Sequence, residues 1–409
     1  MPARTSVFLA RLWVLFAALL DAGAALAEMR VQALELPGRA QPAVTATAEG
    51  FLLSWIDREA DGASVLRFAE LDRDGRPARL GEVARGRDWF VNWADFPSLT
   101  VADNGDWVGF ILVRSEPARP YAYDILATRS RDRGRSWSVP ERLHDDGTPT
   151  EHGFVSLLAD GDDRVLAVWL DGRRSMQTDG AGHDHDDGHS AAHTSLHTAV
   201  LTRTGIVERQ ELDELTCDCC RTALARDQQG PVALYRDRTR EEIRDVFEVA
   251  RLGTGWSAPR PLPPDRWNMP GCPVNGPAVA ALKPGLLAAW PTQDAGTPVL
   301  RLALRAAGSW RPLPPLDRGP ALQGRVDLAA WTEDSVLAVW LGGEDDRPAL
   351  RLAEVDHLGK VRTARTLATL PAGRATGMPR IAARDGRAVV VWTQPDGQGP
   401  HLAGALIRR

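Results

Sequence analysis

The four cysteines are the residues whose types and spacing suggest chemistry most directly. Cys217, Cys219 and Cys220 stand close together, and Cys272 follows further along the chain. In an oxidising compartment such residues pair as disulfides, here with one bridge to Cys272 and a second within the cluster. Grouped thiolates also bind copper or zinc. The spacing is not that of a zinc ribbon, which has two separated C-x-x-C pairs. The sequence therefore leaves a disulfide clamp and a soft-metal site as alternatives.

A histidine-rich segment precedes the cysteines. It carries His183, His185, His189 and His193 among Asp and Gly residues. Imidazole and carboxylate groups together suit zinc, Cu(II) or Ni(II). The same composition is typical of a solvated insertion that buries no core. The segment is thus a candidate for weak metal binding, with copper or zinc as the expected ion.

The N-terminus resembles an export signal. Arg4 and Arg11 precede an apolar run over 12–20, and Ala25-Leu26-Ala27 offers a small-x-small cleavage site. We expect a signal peptide over 1–27 and a single mature domain over 28–409. The apolar run is short for a membrane span, so we expect a periplasmic or secreted protein with no span after cleavage.

Composition and charge narrow the class of protein. The net charge is −5, and no basic stretch resembles a groove that follows phosphates, so we expect no nucleic-acid partner. The chain has 29 Pro, 37 Gly and 14 Trp, a usage that favours short strands joined by tight turns over helices.

One unit recurs along the chain. An alternating strand leads through a Gly/Asp turn into a very apolar second strand that ends near an aromatic residue, and a period near 50 residues is typical of a four-stranded propeller blade. The aromatic residues are Trp55, Phe110, Trp169, Tyr235, Trp290, Trp340 and Trp392.

Counting these units predicts an all-β propeller. Seven blades are favoured over six, the alternative that treats the irregular Phe110 copy as a false repeat. The last unit lacks a fourth strand, and the segment 30–37 resembles one. We expect this N-terminal strand to complete the last blade, because pairing the chain ends hides an open edge.

Propeller topology places most of the distinctive segments on one face, because the connections between strands 2 and 3 and between successive blades share a side. The expected members of this face are the loop Arg87–Asp95, His144, His152, the segment Asp171–His197, the cysteine cluster and the loop Trp267–Cys272.

A turn motif connects the sequence to a known family. Ser130, Asp132, Gly134 and Trp137 match the Asp-box pattern S-x-D-x-G-x-x-W. The Ser and Asp side chains are expected to bond the turn backbone, and Gly to supply a positive φ. The motif resembles that of bacterial sialidases and related Asp-box propellers. In that family it lies opposite the active site, so the resemblance implies a structural role.

The resemblance also implies a catalytic arrangement against which the chain can be checked. Sialidases are six-bladed and use three arginines for the substrate carboxylate, a late Tyr activated by Glu, and an Asp as acid/base. Arg221, Arg325 and Arg380 stand near the starts of first strands, where they could bind a carboxylate. Salt bridges at the surface or between blades are the alternative role. No tyrosine follows Tyr235, so we do not expect sialidase chemistry.

The sequence therefore favours an exported, sialidase-like propeller that binds a glycan or a soft metal at a Cys/His-rich face. A small molecule or a protein could also bind there. The alternative is an enzyme, namely an exo-glycosidase of the sialidase superfamily acting on a carboxylated sugar. Its candidate carboxylates are Asp57, Asp88 and Asp95, whose acid and base roles depend on their separation.

Overall fold

The computed structural model describes residues 29–178, 194–344, 347–397 and 399–409. These residues form seven antiparallel sheets, and the first strands of successive sheets contact one another around a closed ring. The protein is therefore a β-propeller with seven blades, as the repeat count predicts. Among the described residues, no helix is long and apolar enough to cross a bilayer.

The closing strand and the first three blades consist of β1 (Arg30–Glu35), β2 (Ala40–Ala46), β3 (Phe51–Arg58), β4 (Ser64–Leu71), β5 (Pro77–Gly86), β6 (Leu99–Val101), β7 (Trp107–Arg114), β8 (Tyr123–Ser130), β9 (Glu141–Arg142), β10 (His152–Ala159), β11 (Val165–Asp171), β12 (Thr194–Thr202) and β13 (Gly205–Thr216). A short helix, α1 (Ser175–Thr178), follows β11.

The remaining blades consist of β14 (Ala223–Arg226), β15 (Pro231–Arg236), β16 (Val246–Leu252), β17 (Gly255–Trp256), β18 (Arg260–Pro261), β19 (Ala278–Leu282), β20 (Gly285–Asp294), β21 (Thr297–Ala306), β22 (Ser309–Arg318), β23 (Gly324–Ala330), β24 (Ser335–Glu344), β25 (Arg347–Asp356), β26 (Val361–Thr369), β27 (Arg380–Arg384), β28 (Arg387–Asp396) and β29 (Gly399–Arg408). A 3₁₀ turn at Arg374–Thr376 precedes β27.

The second strands form the cores of the blades. Strand β11 is buried at every residue, whereas the fourth strand β22 is mostly exposed. A second strand has neighbouring blades against both of its faces, so its sequence is continuously apolar rather than alternating. Each large side chain buried there stabilises the fold by roughly 1.5–3 kcal/mol.

The N-terminal strand closes the ring as predicted. Strand β1 pairs antiparallel with β29, from Arg30 opposite Arg408 to Glu35 opposite Ala403. The seventh blade thus has the order β27, β28, β29, β1 from the centre outwards.

The irregular second repeat is a genuine blade with short flanking strands. Its first strand β6 has 3 residues and its fourth strand β9 has 2. In the fourth blade the outer strand is split into β17 and β18, both paired with β16. Pro140 and Pro259 lie in these outer segments and donate no backbone hydrogen bond, which explains why the ladders are short there.

The tryptophans of the second strands share one contact. The indole Nε1 of Trp55 donates to Asp57 and that of Trp169 to Asp171, each at 3.0 Å. For Trp290 and Trp340 the acceptor is an aspartate of the preceding blade, Asp265 after β18 and Asp317 in β22. Trp392 donates to Gln394 of its own strand. A buried indole N–H needs an acceptor, so these carboxylates anchor the aromatic residues.

Candidate functional site

The first strands bring five charged residues to one end of the ring, and we call this set the mouth. Its members are Asp95, Arg221, Arg325, Asp327 and Arg380. Arg380 begins β27, Arg221 stands two residues before β14, and Asp95 lies four residues before β6. Arg325 and Asp327 belong to β23. The structure therefore assembles all three arginines that the sequence singled out, from three different blades.

Two of these arginines have guanidinium groups with few acceptors. Arg380 Nε lies 3.4 Å from Asp327 Oδ2, too poorly aligned for a hydrogen bond. Its Nε and Nη1 are buried without a hydrogen-bond partner among the described residues. Arg221 makes no side-chain hydrogen bond to any described residue, and burial lowers its pKa despite the charges of Asp327 and Asp95. Unpaired buried donors of this kind are costly, so they mark a place where a ligand can supply acceptors.

Arg325 has no acidic partner among the described residues. Its Nη1 donates to Thr376 Oγ1 at 2.6 Å and to the carbonyls of Gly373 and Gly377 at 3.0 Å. The guanidinium lies 4.5 Å from the centre of the Trp93 ring, a cation–π contact. Burial lowers the pKa of Arg325 to about 10, which still leaves it charged at neutral pH.

A buried tyrosine links two carboxyl groups beside the mouth. The Tyr123 hydroxyl lies 2.7 Å from Asp95 Oδ2 and 3.0 Å from Glu151 Oε1. One hydroxyl proton serves both contacts as full hydrogen bonds only if a carboxyl also carries a proton. Burial raises the pKa of Glu151 to about 8, so Glu151 is that protonated group at neutral pH. Gly153 makes room, because a Cβ there would lie 2.0 Å from Asp95 Oδ2.

The protonation states make the mouth positive. Burial raises the pKa of Asp95 and of Asp327 to about 6. The two carboxylates are thus mostly ionised at pH 7 and neutral near pH 5, whereas guanidinium groups do not lose their proton in this range. The mouth carries about one net positive charge at neutral pH and more in acid, an arrangement that favours anions.

The other two candidate carboxylates lie outside the mouth. Asp57 accepts the indole N–H of Trp55 and forms an ion pair with Arg67 at 3.1 Å, so its contacts are structural. Asp88 is exposed in the loop before the second blade, where its carbonyl accepts the Arg114 N–H. Of the three, only Asp95 lies close enough to a mouth arginine, Arg221, for that charge to act on the pKa of its carboxyl group.

The cysteines meet at the junction between blades 3, 4 and 5. A disulfide joins Cys219 and Cys272, whose Cα atoms are 6.1 Å apart. Cys217 and Cys220 are both buried, with their sulfurs 2.7 Å apart. Since the bonded pair has no thiolate to offer, a metal at this position would have at most two sulfur ligands in this state.

Two groups of histidines are candidate metal ligands, the histidine-rich segment and the pair His144 and His152. His183, His185, His189 and His193 lie outside the described residues. His144 and His152 are buried and stack in parallel, with ring centres 3.6 Å apart and an interplanar angle of 6°. Asp146 joins them, lying 2.6 Å from His144 Nδ1 and 3.2 Å from His152 Nε2.

Two overlapping groups of three side chains have potential metal-ligand atoms within 4.8 Å of one another. One group is Asp124, His144 and His152, and the other is Asp146, His152 and Asp171. Lone pairs of stacked imidazoles point along parallel planes and do not converge on one ion. Arg173 also donates to both Asp171 oxygens, at 2.8 and 2.9 Å. This set is therefore a network of ion pairs between blades 2 and 3 rather than an open metal site.

The Asp-box segment forms the turn after β8. Ser130 Oγ accepts the Gly134 N–H at 2.6 Å, and Asp132 Oδ1 accepts the Ser136 N–H at 2.9 Å. Gly134 has a φ of 78°, and a Cβ there would collide with Phe68 and Trp107. Trp137 packs near Trp107, with ring centres 6.5 Å apart. These contacts hold two blades together far from the mouth, at the opposite ends of the strands.

Comparison with solved structures identifies the architecture. The polysaccharide lyase Uly1 matches with a TM-score of 0.52 at 9% identity, covering 90% of each chain. An ulvan lyase of polysaccharide lyase family PL25, bound to -[GlcA(1-4)Rha3S]-, matches with a TM-score of 0.50 at 13% identity, covering 80% of this chain and 81% of that one. The Hadza microbial sialidase Hz136 matches with a TM-score of 0.49 at 14% identity, covering 84% of this chain and 73% of that one.

The chain is a β-propeller in fold, as these solved structures are. No family model and no curated protein matches its sequence. At these identities the likeness is one of fold, and it extends to propellers that are named as lyases as well as sialidases. The propeller fold that the resemblance implies is confirmed.

Three residues of the site were missed by sequence reasoning. Tyr123, Glu151 and Asp327 stand in or beside strands, where an alternating pattern hides them among packing residues. Their position was the available signal. First and third strands begin at the end of the ring that carries the mouth, so a polar residue at such a start is a candidate for the site.

Proposed function

We propose that the mouth binds the carboxylate of an acidic sugar, and that the protein is a glycan-binding propeller rather than a sialidase. The observation that carries the proposal is the pair of buried, unpaired guanidinium atoms on Arg380. Arg221 supplies further donors beside it, and bidentate guanidinium groups suit planar carboxylates.

Tyr123 supports the proposal that the protein lacks sialidase chemistry. It is the tyrosine beside the mouth, and its ring stacks flat on Phe90 with centres 3.9 Å apart. The side chain is fully buried, and burial with the nearby Asp95 raises its pKa well above the ordinary value. A protonated, covered phenol is a poor nucleophile.

A glycan ligand agrees with the kinds of proteins that share the fold. Uly1 is named as a polysaccharide lyase, and the family PL25 enzyme was solved with an oligosaccharide containing GlcA, a carboxylated sugar. We therefore expect a uronic or sialic acid residue as the anionic unit.

Binding is tested by calorimetry with glucuronate, galacturonate and N-acetylneuraminate against neutral glucose and galactose. Arg380→Ala should weaken binding of the acid sugar at least about tenfold, the loss of one charge-assisted hydrogen bond. Arg384→Ala is the matched control, because Arg384 lies on the same strand, half-exposed, with Asp385 as its ion-pair partner. Equal affinity for acidic and neutral sugars would contradict the proposal.

A second candidate function is acid/base catalysis on the same sugars. It is favoured by the two carboxyl groups joined through Tyr123, because their pKa values are raised to different levels, about 6 for Asp95 and about 8 for Glu151. Unequal carboxyl groups are the usual acid/base pair of glycan-cleaving enzymes. Release of reducing ends or unsaturated products from polyuronates, lost in Glu151→Gln, would establish this activity, and a fluorogenic sialoside should remain uncleaved.

We also propose that the protein acts outside the cytoplasm. The signal-like sequence over 1–27 and the Cys219–Cys272 disulfide support this location. Mass spectrometry of protein from the periplasm should give an N-terminus at Glu28, and recovery of the uncut chain in the cytoplasm would contradict it.

A further inference from the structure

The second pair of cysteines sits in a turn that suits a disulfide. Cys217 and Cys220 are the first and last residues of the turn between β13 and β14. The end residues of a β-turn have Cα atoms within about 7 Å, which overlaps the separation that disulfides span. Their sulfurs are 2.7 Å apart. Cys219, between them, is already bonded to Cys272.

Basic residues surround this pair. Arg244 Nη1 lies 3.2 Å from Cys217 Sγ. Burial by itself would raise the pKa of Cys217, but the hydrogen bond with Cys220 and the charge of Arg244 outweigh it and lower that pKa to about 7. Burial raises the pKa of Cys220. The two sulfurs therefore have the unequal reactivity of a dithiol in which one thiolate attacks and the other thiol resolves.

The pair is connected to the mouth through the backbone. Arg221 directly follows Cys220, and a Cβ on Gly276 would lie 2.0 Å from the Arg221 carbonyl, so the next blade presses against this segment. The Cys217 N–H donates to the Arg236 carbonyl at 3.0 Å. Any change in the turn therefore moves the backbone that positions the Arg221 guanidinium.

A second connection reaches Arg325. Arg236 Nε donates to the Asn275 carbonyl at 3.0 Å, and Asn275 Oδ1 accepts the Arg325 N–H at 2.8 Å. Arg236 is itself fully buried, with its remaining donors on the carbonyls of Arg244 and Pro291. Two of the three mouth arginines are thus joined to the cysteine turn by short, buried contacts.

We propose that Cys217 and Cys220 form a redox pair whose disulfide fixes Arg221 in the mouth, so that the oxidation state of the pair sets the affinity for anions. The effect on affinity rests on the proposed anion-binding function, whereas the disulfide itself does not.

The oxidant is a small-molecule disulfide such as oxidised glutathione. The Cys217 thiolate attacks one glutathione sulfur, forms a mixed disulfide and releases one glutathione thiolate, which takes up a proton. Cys220 then loses its proton to solvent and attacks Cys217 Sγ, which releases the second glutathione. Two protein thiols are oxidised and one disulfide is reduced. Because both sulfurs are buried, exchange waits for local opening of the turn and is slow.

The first test counts thiols on the full mature chain. The protein is equilibrated in a series of reduced-to-oxidised glutathione ratios, quenched in acid, denatured and alkylated for intact mass. We expect two alkylated cysteines at the most reducing glutathione ratio and none at the most oxidising ratio. The two alkylations should disappear together as the ratio becomes more oxidising. Cys217→Ser should leave Cys220 alkylated or glutathionylated under oxidising conditions. Two alkylated cysteines in excess oxidised glutathione, with Cys219–Cys272 intact, would overturn the proposal.

The second test measures glucuronate binding by the oxidised and reduced forms. We expect the oxidised form to bind at least about fivefold more tightly, the lower end of usual coupling between sites, and Arg221→Ala to remove the difference. Equal affinities of the two forms would overturn the coupling alone. A chain that oxidises as a pair but binds no acidic sugar in either state would overturn the coupling together with the proposed function, while the disulfide stands.

Discussion

A buried arginine and a partly buried arginine at opposite ends of the blades have very different surroundings. Arg129, beside the Asp-box turn, donates to Asp106 at 3.0 Å and to the carbonyls of Asp163 and Leu201 at 2.7 and 3.1 Å. Arg380, in the mouth, leaves two buried nitrogen atoms without a partner among the described residues. The arginine that joins two blades has acceptors for its donors, whereas the arginine in the mouth keeps donors that a ligand can satisfy. Hydrogen-bond satisfaction therefore distinguishes a structural arginine from a candidate binding arginine.

The largest loss of stability is expected beside the Asp-box turn, where Arg129 has acceptors for its donors. Asp106 is 2% exposed and receives both Arg129 and Arg203. Asp106→Ala should lower the free energy of unfolding by about 3 kcal/mol, because it leaves a buried cation without its carboxylate. Urea unfolding gives the value. Glu333→Ala is the control, since the exposed pair Lys283–Glu333 should contribute less than about 1 kcal/mol. Similar losses in both variants would erase the distinction.

Exchanging arginine for methionine compares the two ends directly. Arg129→Met should destabilise the fold by about 2–3 kcal/mol, because Asp106 keeps only Arg203 and the carbonyls of Asp163 and Leu201 lose their donor. Arg380→Met should leave the unfolding free energy unchanged within about 1 kcal/mol, because the replaced donors are already unpaired. Thermal and urea unfolding of both variants settles the point. Equal destabilisation would mean that Arg380 is structural after all.

A smaller effect is expected from the glycine beside the mouth. Gly153→Ala places a methyl group against Asp95 Oδ2 and the Tyr123 hydroxyl. The contact between Asp95 and Tyr123 must open, at a cost of about 1–3 kcal/mol for the polar groups left unpaired. We expect lower stability and weaker anion binding together, measured by unfolding and calorimetry. A neutral result would show that the linked carboxyl groups have no part in shaping the mouth.

The mildest contrast lies in pH dependence. The pKa values of Asp95 and Asp327 are raised to about 6, so the stability that they contribute is complete at low pH and is lost as the pH rises through 6. Hydrogen bonding to Arg203 lowers the pKa of Asp106, so its contribution is lost instead as the pH falls through the acid range.

Anion affinity should follow the mouth carboxylates. Protonation of Asp95 and Asp327 makes the mouth more positive, so glucuronate should bind a few-fold more tightly at pH 5 than at pH 7.5. Asp327→Asn should flatten this profile. Calorimetry across this range that shows weaker binding at pH 5 would contradict the charge assignment.

The repeats and the arginines could be predicted, while the contacts between distant residues could not. A period near 50 residues revealed the blades, and the strand ends placed Arg221, Arg325 and Arg380 on one face. The contact of Asp57 could not be predicted, because a carboxylate two residues after an aromatic anchor has the same appearance whether it bonds the indole, as it does here, or faces the mouth.

The contact between Tyr123 and Glu151 could not be predicted from the sequence. It joins two blades, and only the stacking of Phe90 decides that the phenol is covered rather than open. Pairing among the cysteines was likewise open, because the spacing allowed Cys272 to reach any of three partners.

The pairing of β1 with β29 determines when the protein can finish folding. The first strand to be synthesised stays without its partner until the last strand is complete, since Arg30 faces Arg408. Six blades are built from contiguous segments and can form in order along the chain. The seventh pairs two segments from distant parts of the sequence, so we expect its completion to be slower than that of the other blades. Loss of β1 would leave the outer edge of β29 unpaired, and such an edge invites association between chains.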